Sequence, residues 1–427
     1  MRTLRRAFTL AGVAALTAFL VAAQAQARTY SLEEAIEIAL AHNVSLAKAV
    51  EGLEGARADV LSGWSGVLPQ ISGSVSRSDG LFVVSGHDTE TKGYRAGVGL
   101  SQTLVSGSTF ANIAGAHRRK TAEEASLDST TRDVVFQVKQ GYYSLLKSER
   151  LRDVQEEALE LAKEQLRKTE SLFDLGSASR SDLLKAQVQV GQAELALISA
   201  DKAAGTAQAS LCYLLGIDVT SDLEAVDPPQ AEAQPEALDF DVGQAVARRP
   251  DVRAWEQYVV AARRSLLASE AERWPELNLS VDYSTDDEAL DGLFDDVSDD
   301  YSRSVSLRLS VPIFNGFSTK ARIDNSKSSL RSAELSLRDA KLQASFEIET
   351  ARLSVLEQAR RVEVAEQSVD QAEEDLRVSE ERFRLRAASM LELIDARVAY
   401  SRARADLVEA RYDYEIAKAE LKLALGL

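Results

Sequence analysis

The chain contains 427 residues, 27% of them charged, and its formal net charge is −17. An excess of acids on this scale repels the phosphates of nucleic acids, which excludes nucleic-acid binding. The single cysteine, Cys212, excludes an intramolecular disulfide, and the three histidines, His42, His87 and His117, have no spacing typical of a metal site or a catalytic triad. The composition therefore predicts neither an enzyme nor a protein with a metal or other cofactor.

The first 27 residues have the pattern of a secretory signal peptide, because three arginines precede an apolar run from residue 7 to residue 23 and small residues follow it. We expect cleavage after Ala27 or Ala25, with a retained membrane anchor as the alternative. Removal of residues 1–27 takes away three arginines and no acids, which changes the net charge from −17 to −20. The rest of the chain has no apolar run that approaches the roughly 20 residues of a transmembrane helix, so insertion into a membrane would have to use strands.

Alternating apolar and polar residues, the pattern of a β-strand, occur in four segments: about residues 70–78, 95–104, 277–284 and 303–311. Each segment is close to the length of a tilted strand that crosses a bilayer, roughly 9 to 11 residues. In isolation, the half-buried strands of a soluble sheet fit the pattern equally well. The flanks favour the membrane, because long helices flank each pair at one end and polar loops join it at the other, from Asp79 to Gly93 and from Ser284 to Asp300.

The predicted strands have one apolar face, and we expect four of its residues to face lipid: Val281, Val305, Leu307 and Leu309. Four strands leave two open edges, and a bilayer tolerates no unpaired backbone edge. Other copies of the chain are therefore expected to complete a barrel.

Long helices account for most of the remaining sequence. Residues 317–425 contain neither glycine nor proline, and apolar residues recur three and four apart along them, which is typical of an amphipathic helix. The stripe loses its phase only between Phe383 and Ser389, where we expect a reversal. A helix from residue 317 to about residue 384 would be roughly 100 Å long. Such a rod must pack on other rods.

The hairpin occurs twice in the chain. Residues 173–186 match residues 383–396 at a shift of 210, and residues 39–46 match residues 245–252 at a shift of 206. Matches in the same order at nearly the same shift predict a tandem duplication. The predicted fold is mostly α, and its parts are repeat 1 at 28–227 with a long hairpin at 108–216, a proline-containing linker at 228–235, and repeat 2 at 236–427 with a long hairpin at 317–426.

Two stretches of the second repeat are especially distinctive. The runs Leu307-Arg-Leu-Ser-Val-Pro-Ile-Phe-Asn-Gly-Phe317 and Ala247-Arg-Arg-Pro-Asp-Val-Arg-Ala254 resemble the most recognisable sequences of the TolC-like outer-membrane efflux proteins. The resemblance includes the duplication, the strand positions and the hairpin tips, so it covers the whole mature chain. It implies a homotrimer in which three chains form one twelve-stranded transmembrane β-barrel and one long α-barrel.

The resemblance implies a passive exit duct in the outer membrane of a Gram-negative bacterium, with most of the chain in the periplasm. The duct would serve a tripartite efflux or type I secretion system, with a periplasmic adaptor (membrane fusion) protein and an inner-membrane pump as partners. It would also contact outer-membrane lipid. A periplasmic coiled-coil adaptor or structural scaffold is the alternative, because it too would have a helical hairpin and an export signal. The duplication and the four membrane-type strands favour the duct.

The resemblance also implies a role for the turns at the two hairpin tips. Eight residues match the segments that contact the adaptor in the family: Leu175, Gly176, Ser177 and Ala178 in repeat 1, and Leu385, Arg386, Ala387 and Ala388 in repeat 2. Arg386 stands where the family usually has glycine. We therefore expect the two tips to contact the adaptor less symmetrically than they do in the family.

Acidic residues after each tip match the carboxylates that ring the periplasmic entrance in the family. These are Glu392 and Asp395 in repeat 2, which are three apart and share a helical face, and Asp182 in repeat 1. A solvated helical face is the alternative. Phe383 and Ala388 replace the tyrosine and arginine of the family's closing latch, which makes Arg386 the candidate partner of a nearby acid.

Overall fold

A computed structural model of the chain describes residues 28–84, 87–227, 240–287 and 301–427. The predicted signal peptide, the predicted linker and most of the predicted loop between Ser284 and Asp300 lie outside these residues. In chain order, the described elements are strand β1 (Arg28–Tyr30), helices α1 (Leu32–His42) and α2 (Val44–Ser65), strands β2 (Gln70–Val84) and β3 (His87–Val105), helices α3 (Gly107–Asp174) and α4 (Arg180–Leu215), strand β4 (Leu223–Ala225), helices α5 (Val242–Arg248) and α6 (Pro250–Ala271), strands β5 (Glu276–Asp287) and β6 (Tyr301–Ser310), and helices α7 (Ser318–Arg384) and α8 (Met390–Ala424).

Two continuous helices determine the length of the molecule. Helix α3 has 68 residues and α7 has 67. At 1.5 Å per residue, each is roughly 100 Å long. The predicted helix from residue 317 to about residue 384 is confirmed, as is the mostly helical fold class.

The other two rods are composite, because each consists of two helices that meet end to end. The side-chain amide (Nδ2) of Asn43 donates a hydrogen bond of 2.8 Å to the carbonyl oxygen of Leu214, so the start of α2 is joined to the end of α4. In the second repeat, Arg249 donates at 3.4 Å to the carbonyl oxygen of Ala424, which joins α6 to α8. Asn43 also accepts hydrogen bonds from two amides of the first turn of α2 and therefore caps it. The duplication thus places a polar joint at the same level of both rods.

The four rods pack side by side in a fixed order. Helix α3 lies between the α4/α2 rod and the α8/α6 rod, and α7 packs on the other side of the α8/α6 rod. Buried clusters near the joints hold them together, with Tyr142 of α3 and Ile348 of α7 fully enclosed. One side of the assembly therefore ends in the α4/α2 rod and the other ends in α7.

A four-stranded antiparallel sheet continues from the end of the helices. Its order is β2-β3-β5-β6, so the two repeats meet at the β3-β5 pair and β2 and β6 form the edges. A second, parallel pair joins β1 to β4. The sequence analysis did not predict this pair, because three residues are too few to show alternation. The hydroxyl of Tyr142 lies 2.9 Å from the carbonyl oxygen of Tyr30 and 2.7 Å from that of Val226, which ties this pair to α3, and burial raises the pKa of Tyr142 to about 12.

The first pair of strands is longer than predicted. The sequence indicated strands at about 70–78 and 95–104, whereas β2 and β3 pair from Gln70 opposite Ser101 to Val84 opposite His87. Much of the predicted loop from Asp79 to Gly93 is thus part of the ladder. Backbone groups form an antiparallel ladder, so it continues through residues that lack apolar alternation.

The α4/α2 joint leaves no room for a side chain at Gly216, which has φ +71 and whose Cβ would overlap the carbonyl oxygen of His42. We expect Gly216→Ala to lower the free energy of unfolding more than Gly176→Ala. Gly176 has a similar φ of +69, but no atom lies within 4 Å of its Cβ position. The left-handed backbone alone costs a non-glycine residue roughly 1–2 kcal/mol. Thermal unfolding of the purified variants in detergent measures the difference, and equal losses would contradict the tight joint.

Candidate functional site

The two hairpins end in the same type of turn. Gly176 in repeat 1 and Arg386 in repeat 2 adopt left-handed conformations, with φ +69 and +59. The next amide in each turn, that of Ser177 or Ala387, donates a hydrogen bond of 2.7 Å to the carbonyl oxygen five residues earlier. This is the usual C-terminal turn of a helix, and it favours glycine. An arginine in this conformation costs roughly 1–2 kcal/mol in backbone energy.

The apolar residue before each left-handed residue is strongly exposed. Leu175 is 77% exposed and Leu385 is 67% exposed. The tip turns are the ends of the hairpins farthest from the sheet, because α3 and α7 run from the sheet to the tips without interruption. The eight residues that match the adaptor-contacting segments thus lie in two turns of four residues each, both at the ends of the hairpins farthest from the sheet.

The acids predicted at the entrance have a structural role that the sequence analysis did not assign. In repeat 1, Ser179 caps α4 and the Asp182 carboxylate lies 2.6 Å from the Ser179 hydroxyl and 3.3 Å from its amide nitrogen. In repeat 2, Ser389 and Glu392 form the same arrangement, with distances of 3.2 and 3.3 Å. Both pairs are capping boxes. The signature, serine followed three residues later by an acid, is visible in the sequence.

The acid at the second tip is also paired with an arginine, but not with the residue that was predicted. Arg382 lies 3.6 Å from the Glu392 carboxylate and donates a hydrogen bond of 3.3 Å to the carbonyl oxygen of Ala387. Arg386, the predicted partner of a nearby acid, is not the arginine beside Glu392 in a single chain, and its pairing stays a prediction. Arg382 takes this place because it lies in the last turn of α7 and faces the start of α8. Asp395, one turn after Glu392, is exposed.

Arg397 connects the two hairpins above the tips. One terminal nitrogen of its guanidinium donates at 3.1 Å to the carbonyl oxygen of Leu161 in α3, and the other donates at 2.8 Å to Glu380 of α7. Its side chain is only 15% exposed. Arg397 also lines a groove of about 380 Å³ between the hairpins. The sequence does not reveal this role of Arg397, because no local pattern shows that three helices converge on it.

The sheet has one apolar face, as the alternation predicts. Leu307 lies opposite Leu279, and Val305 lies opposite Val281, which in turn lies opposite Leu100 of β3. The four residues predicted to face lipid are exposed by 36% for Val281, 74% for Val305, 64% for Leu307 and 65% for Leu309. On the other face, the hydroxyls of Ser280 and Ser306 form a hydrogen bond of 2.7 Å. Among the described residues, no helix is both long and apolar enough to cross a membrane.

Comparison with solved structures identifies the fold. The structure of the Campylobacter jejuni CmeC outer membrane channel superposes with a TM-score of 0.86, covering 92% of this chain and 85% of that chain at 18% identity. At this identity the likeness concerns the fold, which is that of an outer-membrane channel protein.

Sequence comparison gives the family. A model of the family described as "Outer membrane efflux protein" matches residues 35–217 and 242–427. The outer membrane efflux protein BepC of Brucella suis is 26% identical over 373 residues, which are 85% of this chain and 78% of that protein. The probable efflux pump outer membrane protein TtgC of Pseudomonas putida is 25% identical over 406 residues, which are 93% of this chain and 83% of that protein. The chain belongs to the outer membrane efflux protein family, which confirms the resemblance seen in the sequence.

The bridge formed by Arg397 can be tested by substitution. We expect Arg397→Gln to lower the free energy of unfolding by about 1.5–3 kcal/mol, because a charge-assisted hydrogen bond across two hairpins is lost. Arg402→Gln is the matched control, since Arg402 lies on the same helix and is exposed. A surface substitution of this kind changes stability by less than about 0.5 kcal/mol. Denaturant unfolding followed by circular dichroism measures both, and equal effects would contradict the bridge.

Proposed function

We propose that three copies of this chain form a passive exit duct, which crosses the outer membrane as a β-barrel and the periplasm as an α-barrel. It receives cargo at the hairpin tips from an inner-membrane pump through a periplasmic adaptor. Conduction through a duct requires no catalytic group and no cofactor. The observation that carries the proposal is that the chain has a complementary open edge along each side, from the sheet to the tips.

Each edge strand of the sheet requires another β-strand as its partner. Among the described residues, strands β2 and β6 each pair on one side only, and lipid has no hydrogen-bonding groups for their free backbone N–H and C=O groups. When β6 of one copy pairs with β2 of the next, the edges are satisfied. Repetition of this contact closes a barrel, and the family resemblance implies that three copies suffice, with twelve strands in total.

The helical edges carry apolar stripes at helical spacing, on the same sides of the molecule as the sheet edges. On the side of β2, the exposed apolar residues of the α4/α2 rod include Leu61, Leu184, Val188, Leu195 and Ile198. On the side of β6, the exposed apolar residues of α7 include Leu335, Leu342, Phe346, Leu353 and Leu356. A stripe of this length in water is unfavourable, and packing of α7 on the α4/α2 rod of the next copy would bury both stripes. The contact joins unlike surfaces, so its repetition generates a ring.

The partners follow from the position of the tips and from a relative. The name of the Pseudomonas putida relative describes a component of an efflux pump. A passive duct supplies no energy for export. We therefore assign the energy source to an inner-membrane pump and the connection between the two to an adaptor that meets the tips. Most of the chain then lies in the periplasm.

The assignment of the lipid-facing residues can be tested by introducing a charged side chain. Leu307→Lys should weaken the trimer by about 2–4 kcal/mol if the residue lies near the bilayer midplane, because the ammonium group loses water. Ser306→Lys, on the neighbouring residue and the other face, should cost much less. The temperature at which the trimer dissociates on semi-native gels measures both. Equal destabilisation would show that the assigned faces are wrong.

The entrance carboxylates require a substitution that leaves the helix cap intact. Glutamine replaces glutamate in a capping box, so Glu392→Gln combined with Asp395→Asn removes charge and preserves the cap. If six carboxylates converge on the axis of a trimer, the variant should show lower cation selectivity and weaker block by multivalent cations from the periplasmic side. The matched control is Asp370→Asn with Glu373→Gln, two exposed acids of α7 with the same spacing. Single-channel recording in planar bilayers decides between the roles, and unchanged selectivity and block would leave Asp395 a solvated residue and Glu392 only a cap.

A further inference from the structure

The two tips differ at one residue of their turns in a way that their backbone does not require. Gly176 and Arg386 occupy equivalent positions, and both have left-handed φ values. Equivalent amides make equivalent hydrogen bonds to the preceding helix in both turns. Glycine adopts this conformation without strain, whereas arginine does not. Arginine therefore occupies a position at which the backbone conformation favours glycine, and strain of this kind is characteristic of functional positions.

The neighbouring arginines do not explain Arg386, because each of them has a partner. Arg382 contacts Glu392, and Arg384 contacts Glu381 at 2.6 Å. Arg397 contacts Glu380 at 2.8 Å. In the part of the chain that the structure describes, the guanidinium of Arg386 has no hydrogen bond or ion pair, and the residue is exposed. Interaction with the helix dipole does not account for it either, since Arg382 and Arg384 already place two positive charges in the last turn of α7.

The positive charge of Arg386 is unusual for its position at a tip of an acidic chain. The chain has a net charge of −17, and acids flank the second tip on both helices. The turn of the first tip, from Leu175 to Ala178, has no charged residue. A carboxylate that approaches the turn of the second tip meets Arg386, whose side chain is exposed and has no partner among the described residues. A guanidinium binds a carboxylate through two parallel hydrogen bonds, which gives geometric as well as electrostatic selectivity.

We propose that Arg386 binds a carboxylate of the periplasmic adaptor, so that the second tip docks by charge and the first docks by backbone and apolar contact alone. The inference rests on the proposed function, since it presumes that the tips meet an adaptor. Its consequence is that the two tips are not interchangeable, and each adaptor hairpin that meets the second tip presents an aspartate or glutamate at its end.

Arg386→Lys provides a direct chemical probe of this contact. A water-soluble carbodiimide joins an amine to a carboxylate only when the two touch, with loss of water, and it does not react with a guanidinium. In membranes of the native host, we expect Arg386→Lys to give an adduct in which peptide mapping places the new amide on an aspartate or glutamate of the adaptor. Gly176→Lys is the matched control at the first tip, with the same backbone conformation and open space around its Cβ position. It should give no such adduct.

The other results separate this inference from the proposed function. An adduct to a neighbouring copy of this chain would overturn the inference and assign Arg386 to contacts between copies. Absence of an adduct would also overturn it when a photo-crosslinking amino acid at Ala387 still reaches the adaptor, and the docking tip would then stand without the carboxylate. If neither residue reaches an adaptor, the docking assignment itself fails.

Affinity gives a second test that does not depend on cross-linking. Using the adaptor identified by the mapped adduct, we expect Arg386→Gly to weaken binding about tenfold, through loss of a charge-assisted contact, while raising the melting temperature. Arg386→Glu should bind still more weakly. Exchange of the mapped carboxylate for lysine should restore binding to Arg386→Glu and not to Arg386→Gly. Unchanged binding in both variants would overturn the inference.

Discussion

The structure depends on edges that one chain cannot satisfy. Strands β2 and β6 leave a row of backbone groups unpaired, and the sheet has an apolar face that includes Val305 and Leu307. The apolar face is favourable against lipid. An unpaired strand edge is unfavourable there, because lipid offers no hydrogen-bonding partners, so a single copy would not be stable in a bilayer. The same asymmetry continues along the helices, where α7 lies on one side and the α4/α2 rod on the other. In the proposed duct, the chain is one segment of the wall, and the wall is complete only when copies follow one another in a ring.

The duplication explains how one chain forms four rods of similar length side by side. Each repeat supplies one continuous helix and one composite rod, and the composite rods are joined where Asn43 and Arg249 donate hydrogen bonds to the ends of α4 and α8. The joint allows the chain to return to the sheet and start a second pair of strands. It also places the close contacts, such as that of Gly216 with His42, in the middle of the wall, where the buried clusters lie. The tips and the sheet are then free to differ between repeats, as Gly176 and Arg386 do.

The sequence predicts the long elements well and the short or shared ones poorly. Helix α7 could be located because nothing in it breaks a helix. The second tip could be located from the loss of helical phase, and the first from its match to the second at a shift of 210. Strand β2 was predicted too short, because its ladder extends through residues without alternation. Strands β1 and β4 were missed because they are too short for a pattern. The capping role of Glu392 was present in the sequence as a serine three residues earlier, whereas the bridge formed by Arg397 depends on the relative positions of three helices and has no local signal. A ring of carboxylates is formed by several copies of the chain, so neither the sequence nor the structure of a single copy contains it.

The mass of the detergent-solubilised particle, measured by native mass spectrometry, tests the central claim most directly. Unlike edges that satisfy one another around a ring predict a single species of three mature chains, with no stable monomer or dimer at low protein concentration. A monomer that remains folded and monodisperse would show that the edges need no partner. A dimer would show that like edges pair about a twofold axis, and either result would contradict the duct.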